Sequence, residues 1–166
     1  MVRFVTDSSL DFVARRLRFL GFDVVTLPGA RLEELFDAAR RDDRTVLTLS
    51  ARHPKAFADV RVLRLPRGDA AAAVRRIAEG HEAGGAPFSR CPADNTALQR
   101  RLPMEAVGEV PGRVLRRAQR LDYCPTCGKW YWDGSHVTRV REWLEAALGR
   151  PLEPPPAPGT PPAPGA

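Results

Sequence analysis

The sequence predicts an α/β fold: a parallel sheet flanked by helices over residues 1–82, with a small cysteine-built module after it. Three observations predict this. Short β-branched runs alternate with amphipathic helical periods as far as Ala78. A Gly-rich connector, Glu82-Ala83-Gly84-Gly85-Ala86-Pro87, ends the alternation. Beyond it stand Cys91 and the pair Cys124 and Cys127, with an aromatic run directly after.

Val2-Arg3-Phe4-Val5-Thr6 reads as the first strand, and Asp7-Ser8-Ser9 is capping material for the helix that follows. That helix places Leu10, Val13, Ala14, Leu17 and Leu20 on one face, with Arg15, Arg16 and Arg18 mostly elsewhere. Gly21 ends it. Asp23 to Leu27 is a second strand, stopped by Pro28-Gly29. A second helix gathers Leu32, Leu35, Phe36 and Ala39. Thr45 to Leu49 is continuously apolar or β-branched, as buried parallel strands are. Val60 to Leu65 is the fourth strand, and Asp69 caps an Ala-rich helix through Ala78. Alternation of this kind yields a parallel sheet with helices on both faces, whose functional crevice lies at the C-terminal strand ends. Those ends carry Asp7, Ser50 and the Arg67–Asp69 turn.

Composition narrows the function classes. No apolar run approaches the roughly 18 residues of a membrane span, and Met1-Val2-Arg3-Phe4 lacks a signal-peptide layout. A cytoplasmic location is expected. Three cysteines do not suit a disulfide framework. The net charge is +6, of which residues 1–60 contribute +1 and residues 61–150 contribute +6, with Glu153 following. The basic excess lies beside the cysteines and favours a polyanionic partner. Residues 151–166 hold eight prolines and one charge, so the segment from residue 150 reads as a disordered, polyproline-leaning tail.

Cys124-Pro125-Thr126-Cys127-Gly128 has the form of a zinc knuckle. Its two-residue gap lets both thiolates face one tetrahedral ion, and the glycine frees the turn. A redox Cys-x-x-Cys would open a helix, whereas the aromatic strand Lys129-Trp130-Tyr131-Trp132 follows here. The module, residues 83–149, therefore reads as zinc-ribbon-like, with a closing helix from Gly134-Ser135-His136 that carries Val140, Trp143, Leu144 and Ala147. Cys91 supplies the third thiol. Asp94 stands where a first Cys-x-x-Cys would put its second, and a carboxylate can ligate zinc. His136 competes for the fourth position, and water or no stable zinc is the remaining alternative. An Arg-rich stretch, Gly112 to Arg120, places Arg113, Arg116, Arg117 and Arg120 at helical i, i+3, i+4, i+7 spacing, a phosphate-tracking stripe. Lys129, His136 and the aromatic run complete a candidate RNA surface, on which the rings would stack against bases.

Taken in order, these residues resemble the Mut-seven C-terminal RNase domain family, a PIN-like nuclease fold joined to a C-terminal zinc ribbon. The pieces are Asp7, Ala14-Arg15-Arg16-Leu17-Arg18-Phe19-Leu20-Gly21-Phe22-Asp23, Arg44-Thr45-Val46-Leu47-Thr48, Pro87-Phe88-Ser89-Arg90-Cys91, Cys124-Pro125-Thr126-Cys127-Gly128 and Tyr131-Trp132-Asp133-Gly134-Ser135-His136. The resemblance covers roughly residues 3–146. It implies RNA cleavage by Mg²⁺ or Mn²⁺ held among carboxylates at the strand ends, since these hard cations take oxygen ligands. Asp7 fits the first acid, Glu33 or Glu34 the second and Asp69 a fourth. The third acid's place, after Leu47-Thr48-Leu49, holds Ser50. One acid and one zinc thiolate of the family pattern are thus absent. The chain is expected to be a divalent-metal-dependent ribonuclease or an attenuated relative, the alternative being a non-catalytic RNA- or ribosome-binding protein.

Overall fold

The computed structural model describes residues 1–118 and 120–152. The proline-rich segment from Glu153 onward lies outside the described residues, as does Gln119. β1 (Arg3–Asp7) leads through a 3-10 turn (Ser8–Leu10) into α1 (Asp11–Phe19). β2 (Asp23–Leu27), α2 (Leu32–Arg41), β3 (Thr45–Thr48), β4 (Val62–Arg64) and α3 (Ala70–Gly80) follow. All four strands are parallel, in the order β2-β1-β3-β4, so β1 and β3 are central and β2 and β4 are edges.

The period-2 geometry of the central strands sorts their side chains between two cores. Phe4, Val24 and Leu47 point to the face covered by α1 and α3, among Leu17, Val74 and Ile77. Val5 and Val46 point to the other, against Leu35, Phe36 and Ala39 of α2. Helices on both faces explain the continuous apolar character of β3, which is buried along its whole length.

The second part begins with a close approach. Gly21 has φ +90°, and a Cβ there would lie 2.0 Å from the Gly85 carbonyl oxygen. The helix stop and the Gly-rich connector therefore need each other. After the connector come β5 (Gln99–Arg100), α4 (Gly112–Leu115), β6 (Leu121–Tyr123) and β7 (Trp130–Trp132), the strands forming a three-stranded antiparallel sheet. The closing helix, α5 (Ser135–Leu148), leaves this small sheet and packs on α3. Its Val140 and Leu144 are buried in the core of the first sheet, with Phe4 and Leu17. The fold thus places the small sheet between two segments of one shared core.

Two elements depart from expectation. The fourth strand is shorter than Val60–Leu65, because Val60 closes a turn on Phe57 and enters the α2-side core. The Arg-rich helix does not reach Arg120: α4 ends at Leu115, and Arg116 and Arg117 form a turn. Arginines at i, i+4 repel along a helix, and the segment offers only Val114, Leu115 and Ala118 for apolar packing.

Candidate metal centre and strand-end cleft

Two backbone hairpins of the same construction meet in the module. In the first, Asn95 N–H donates to the Cys91 carbonyl (3.0 Å) and Cys91 N–H to Thr96 (2.8 Å). In the second, Gly128 N–H donates to Cys124 (2.9 Å) and Cys124 N–H to Lys129 (2.9 Å). Asn95 has φ 72° and Gly128 φ 70°, the left-handed conformation that glycine adopts freely and asparagine tolerates best among other residues. Asp94 therefore occupies the backbone station that Cys127 holds in the other hairpin. The ligand atoms of Cys91, Asp94, Cys124 and Cys127 all lie within 4.8 Å of one another.

Tetrahedral zinc with bonds near 2.3 Å to sulfur and 2.0 Å to oxygen requires S···S of about 3.8 Å and S···O of about 3.5 Å. The Cys91 and Cys127 sulfurs are 3.8 Å apart, and Cys124 Sγ lies 3.2 and 3.5 Å from the Asp94 oxygens. The residues fit such an ion. Around the ligands, Cys127 N–H donates to Cys124 Sγ, Thr96 N–H to Asp94 Oδ1, and the Tyr131 hydroxyl lies 3.1 Å from Cys91 Sγ. Burial raises the Cys91 thiol, and raises that of Cys124 to about 12. Burial also works to raise Asp94, but hydrogen bonds from Thr96 and the thiols outweigh it and hold the carboxyl at about 2. Cys91 and Cys124 are fully buried, whereas Asp94 is half-buried. His136, the competing ligand, is not in the cluster.

The first hairpin is clamped to the large sheet by a residue that sequence reasoning passed over. Arg18, 1% exposed, donates from Nε to Val24 O (2.8 Å), from Nη1 to Pro92 O (2.8 Å) and Ala93 O (3.3 Å), and from Nη2 to Thr26 Oγ1 (2.6 Å). Asn95 completes the clamp: its Oδ1 accepts from Val24 N–H and its Nδ2 donates to Asp23. Burial opposes ionisation of Asp23, but Arg44 and Asn95 outweigh it and hold the carboxyl below its ordinary range. The edge of β2 is thereby covered by the ligand loop. Asn95 carried a signal, since it stands where Gly128 stands in the other hairpin. Arg18 carried none.

Of the candidate acids at the strand ends and on α2, Asp7, Glu34 and Asp69 have local hydrogen-bond partners. Asp7 Oδ1 accepts from Ser9 N–H (2.8 Å), and Asp69 Oδ1 from Ala72 N–H (2.8 Å), each capping a helical turn. Glu34 accepts from the backbone and guanidinium of Arg31, closing the start of α2. Glu33 faces an open cleft with Asp37, Arg52, His53 and Lys55. Ser50 accepts from Arg52 N–H within its own turn. Glu33 and Glu34 line one cleft, and no three of the four candidate acids form a metal-holding group among the described residues. Among the described residues, the cysteine cluster is the one group of three or more Asp, Glu, Cys or His whose ligand atoms lie close enough to hold a metal ion.

The basic residues divide likewise. Arg113, Arg116 and Arg117 are exposed and make no ion pair among the described residues. Arg120 instead pairs with Asp122, which is itself buried and also bound by Arg100, and donates to Phe88 O. It belongs to the module's framework and leaves the proposed stripe. Lys129 and His136 are exposed. Trp130 and Trp132 pack partly against Ala106, Val110 and Leu121, and Trp130 Nε1 donates to Glu109.

A family model described as the Mut7-C RNAse domain matches residues 2–144. The chain belongs to this family. Over 72 residues it is 47% identical to the human exonuclease mut-7 homolog; the match covers 40% of this chain and 7% of that protein. The chain thus spans a small fraction of the length of that relative. No solved structure matches with statistical significance. Membership in the Mut7-C family gives the chain a nuclease-like, RNA-related character, on an α/β sheet with an adjoining cluster able to hold a metal ion. No helix among the described residues is long and apolar enough to cross a membrane.

Proposed function

We propose that this chain is an RNA-binding member of the Mut7-C family with attenuated hydrolysis, whose cysteine cluster holds a structural zinc. The observation that carries the reading is the use of the strand-end acids: Asp7, Glu34 and Asp69 each cap a turn, and a serine stands at the third position. A Mg²⁺- or Mn²⁺-assisted reaction needs several carboxylate oxygens converging on the ion. Capping costs these acids little, and it explains their positions without a metal.

Zinc supplies folding free energy to so small a sheet. Cys91, Asp94, Cys124 and Cys127 would hold it, and Arg18 would fix the first of their two loops. Held in this way, the module presents Arg113, Arg116, Arg117, Lys129 and His136 to RNA phosphates, in a cytoplasmic setting that keeps the thiols reduced. Arg113, Arg116 and Arg117 are exposed, and no neighbouring carboxylate neutralises them among the described residues.

A second reading is residual metal-dependent cleavage, favoured by the family match and by the cleft that Glu33 shares with Asp37 and His53. One experiment separates the two. Purified protein is incubated with labelled single-stranded RNA in Mg²⁺, Mn²⁺ or EDTA, and binding and cleavage are read from the same samples. Salt-sensitive binding with cleavage at the EDTA level is expected. Cleavage that needs metal and disappears in Asp7→Asn would overturn the proposal in favour of the ribonuclease.

A further inference from the structure

We infer that Tyr131 is a positioning residue of the metal centre, its hydroxyl donating to the Cys91 thiolate and so adjusting how strongly that sulfur binds the ion. The inference rests on the reading that a metal is held there and assigns the tyrosine a different task from base stacking.

The geometry is direct. Tyr131 is the middle residue of β7, in register with Asp122 of β6. Its hydroxyl stands 3.1 Å from Cys91 Sγ, close for a donor to sulfur. The other strand residues, Trp130 and Trp132, point to the opposite side and pack on Leu121 and Ala106, as alternation along a strand requires. Tyr131 therefore faces the ligands because of its place in the sheet.

Charge explains why a donor belongs there. Three thiolates and one carboxylate around a divalent ion leave the centre with two excess negative charges, partly enclosed by protein. Such a centre is stabilised by N–H and O–H groups aimed at its ligands. Cys124 Sγ receives the Cys127 N–H and Asp94 receives the Thr96 N–H. Tyr131 adds a side-chain donor at Cys91, the thiolate on the loop held by Arg18. A hydrogen bond to a thiolate withdraws electron density from sulfur. Removing it leaves Cys91 a stronger electron donor and a better nucleophile, while the ion loses a support that outer ligands typically provide at about 10- to 100-fold in affinity.

The test uses full-length protein and the variants Tyr131→Phe and Tyr131→Leu. Phenylalanine keeps the ring and removes only the hydroxyl; leucine removes both and reports on packing. Zinc content of the parent is measured first: less than about one ion per chain in folded protein would sink the metal reading itself. With zinc present, chelator competition should show Tyr131→Phe binding it about tenfold more weakly. In Co²⁺-loaded protein, the sulfur-to-metal charge-transfer band should move to longer wavelength in Tyr131→Phe. Alkylation of the zinc-loaded variant by iodoacetamide should be faster, with Cys91 the modified site by peptide mapping. A parent that holds one zinc and a Tyr131→Phe variant with unchanged affinity, cobalt spectrum and alkylation rate would overturn the assignment. Should Tyr131→Leu fail to fold, the phenylalanine variant alone decides the matter.

Discussion

Replacing Arg18 by methionine tests the coupling between the two sheets. Methionine retains the length and apolar stem of the side chain and deletes every donor. The guanidinium is 1% exposed and serves four acceptors, Val24 O, Pro92 O, Ala93 O and Thr26 Oγ1, at 2.6 to 3.3 Å. Hydrogen bonds from a charged group contribute about 1.5–3 kcal/mol each. They do not add fully, and methionine also removes the cost of burying a charge. Breaking a buried charged arrangement by deleting one partner costs about 3–5 kcal/mol, and that is the loss expected here. It compares with a total of about 5–15 kcal/mol for a domain. Because two of the acceptors lie between Cys91 and Asp94, zinc affinity should fall by at least about tenfold as well. Urea unfolding of the zinc-loaded protein measures the first effect and chelator competition the second. Arg15→Met is the control: it removes an exposed pair with Asp11 and should cost about 0.5 kcal/mol or less. Arg18→Met unfolding within 1 kcal/mol of the parent, with unchanged zinc affinity, would refute the clamp.

Asp94→Cys completes a four-thiolate site and should tighten zinc binding, whereas Asp94→Ala should weaken it; an Asp94→Ala variant that holds zinc as the parent does would exclude the carboxylate as ligand. Zinc binding must displace thiol protons, so affinity should fall as pH falls, while Asp94, already ionised above about 2, adds nothing near neutrality. In metal-free protein the sign reverses at the other end. The Cys124 thiol is raised from 9.0 to about 12, so its contribution is complete below pH 9 and is lost as pH rises toward 12, visible as a falling melting temperature. Arg113→Glu with Arg117→Glu should weaken RNA binding across sequences and flatten its salt dependence by about one unit of log–log slope per lost contact; unchanged filter binding would make these arginines ordinary solvated surface. Ser50→Asp should gain thermal stability from Mn²⁺ if the strand ends retain a partial ion site, and should show no such gain if capping is the acids' whole role.

How far the sequence could be read depended on whether a residue's role is local. The strands and first three helices follow from period and punctuation, and Asp69 caps its helix as a local rule predicts. The Cys124–Cys127 hairpin was legible because its spacing is set by metal geometry, and Asp94 because it takes the same place in a second copy. Arg18 was not legible. It differs from Arg15 and Arg16 only in facing a loop some 74 residues away, and no local pattern records that. The Arg-rich helix is shorter than its spacing suggests for a local reason: residues four apart on a helix are neighbours, and like charges there discourage the helix they would decorate. The strand-end acids exposed a further ambiguity, since a carboxylate before a helix is both a cap and a metal ligand by residue type.

The burial of Val140 and Leu144 beside Phe4 and Leu17 has a consequence for how the chain is made. The core of the first sheet includes residues from the last helix, so a nascent chain cannot finish that core until translation has passed the entire small sheet. The connection to be closed runs from α3 to α5, more than 50 residues, and its entropic cost grows only with the logarithm of that length. A cross-link between residues 91 and 127 shortens the path and lets α5 arrive closer to its groove. Metal availability during synthesis would then act on the folding rate of the whole chain, through the time that the face of α3 spends uncovered.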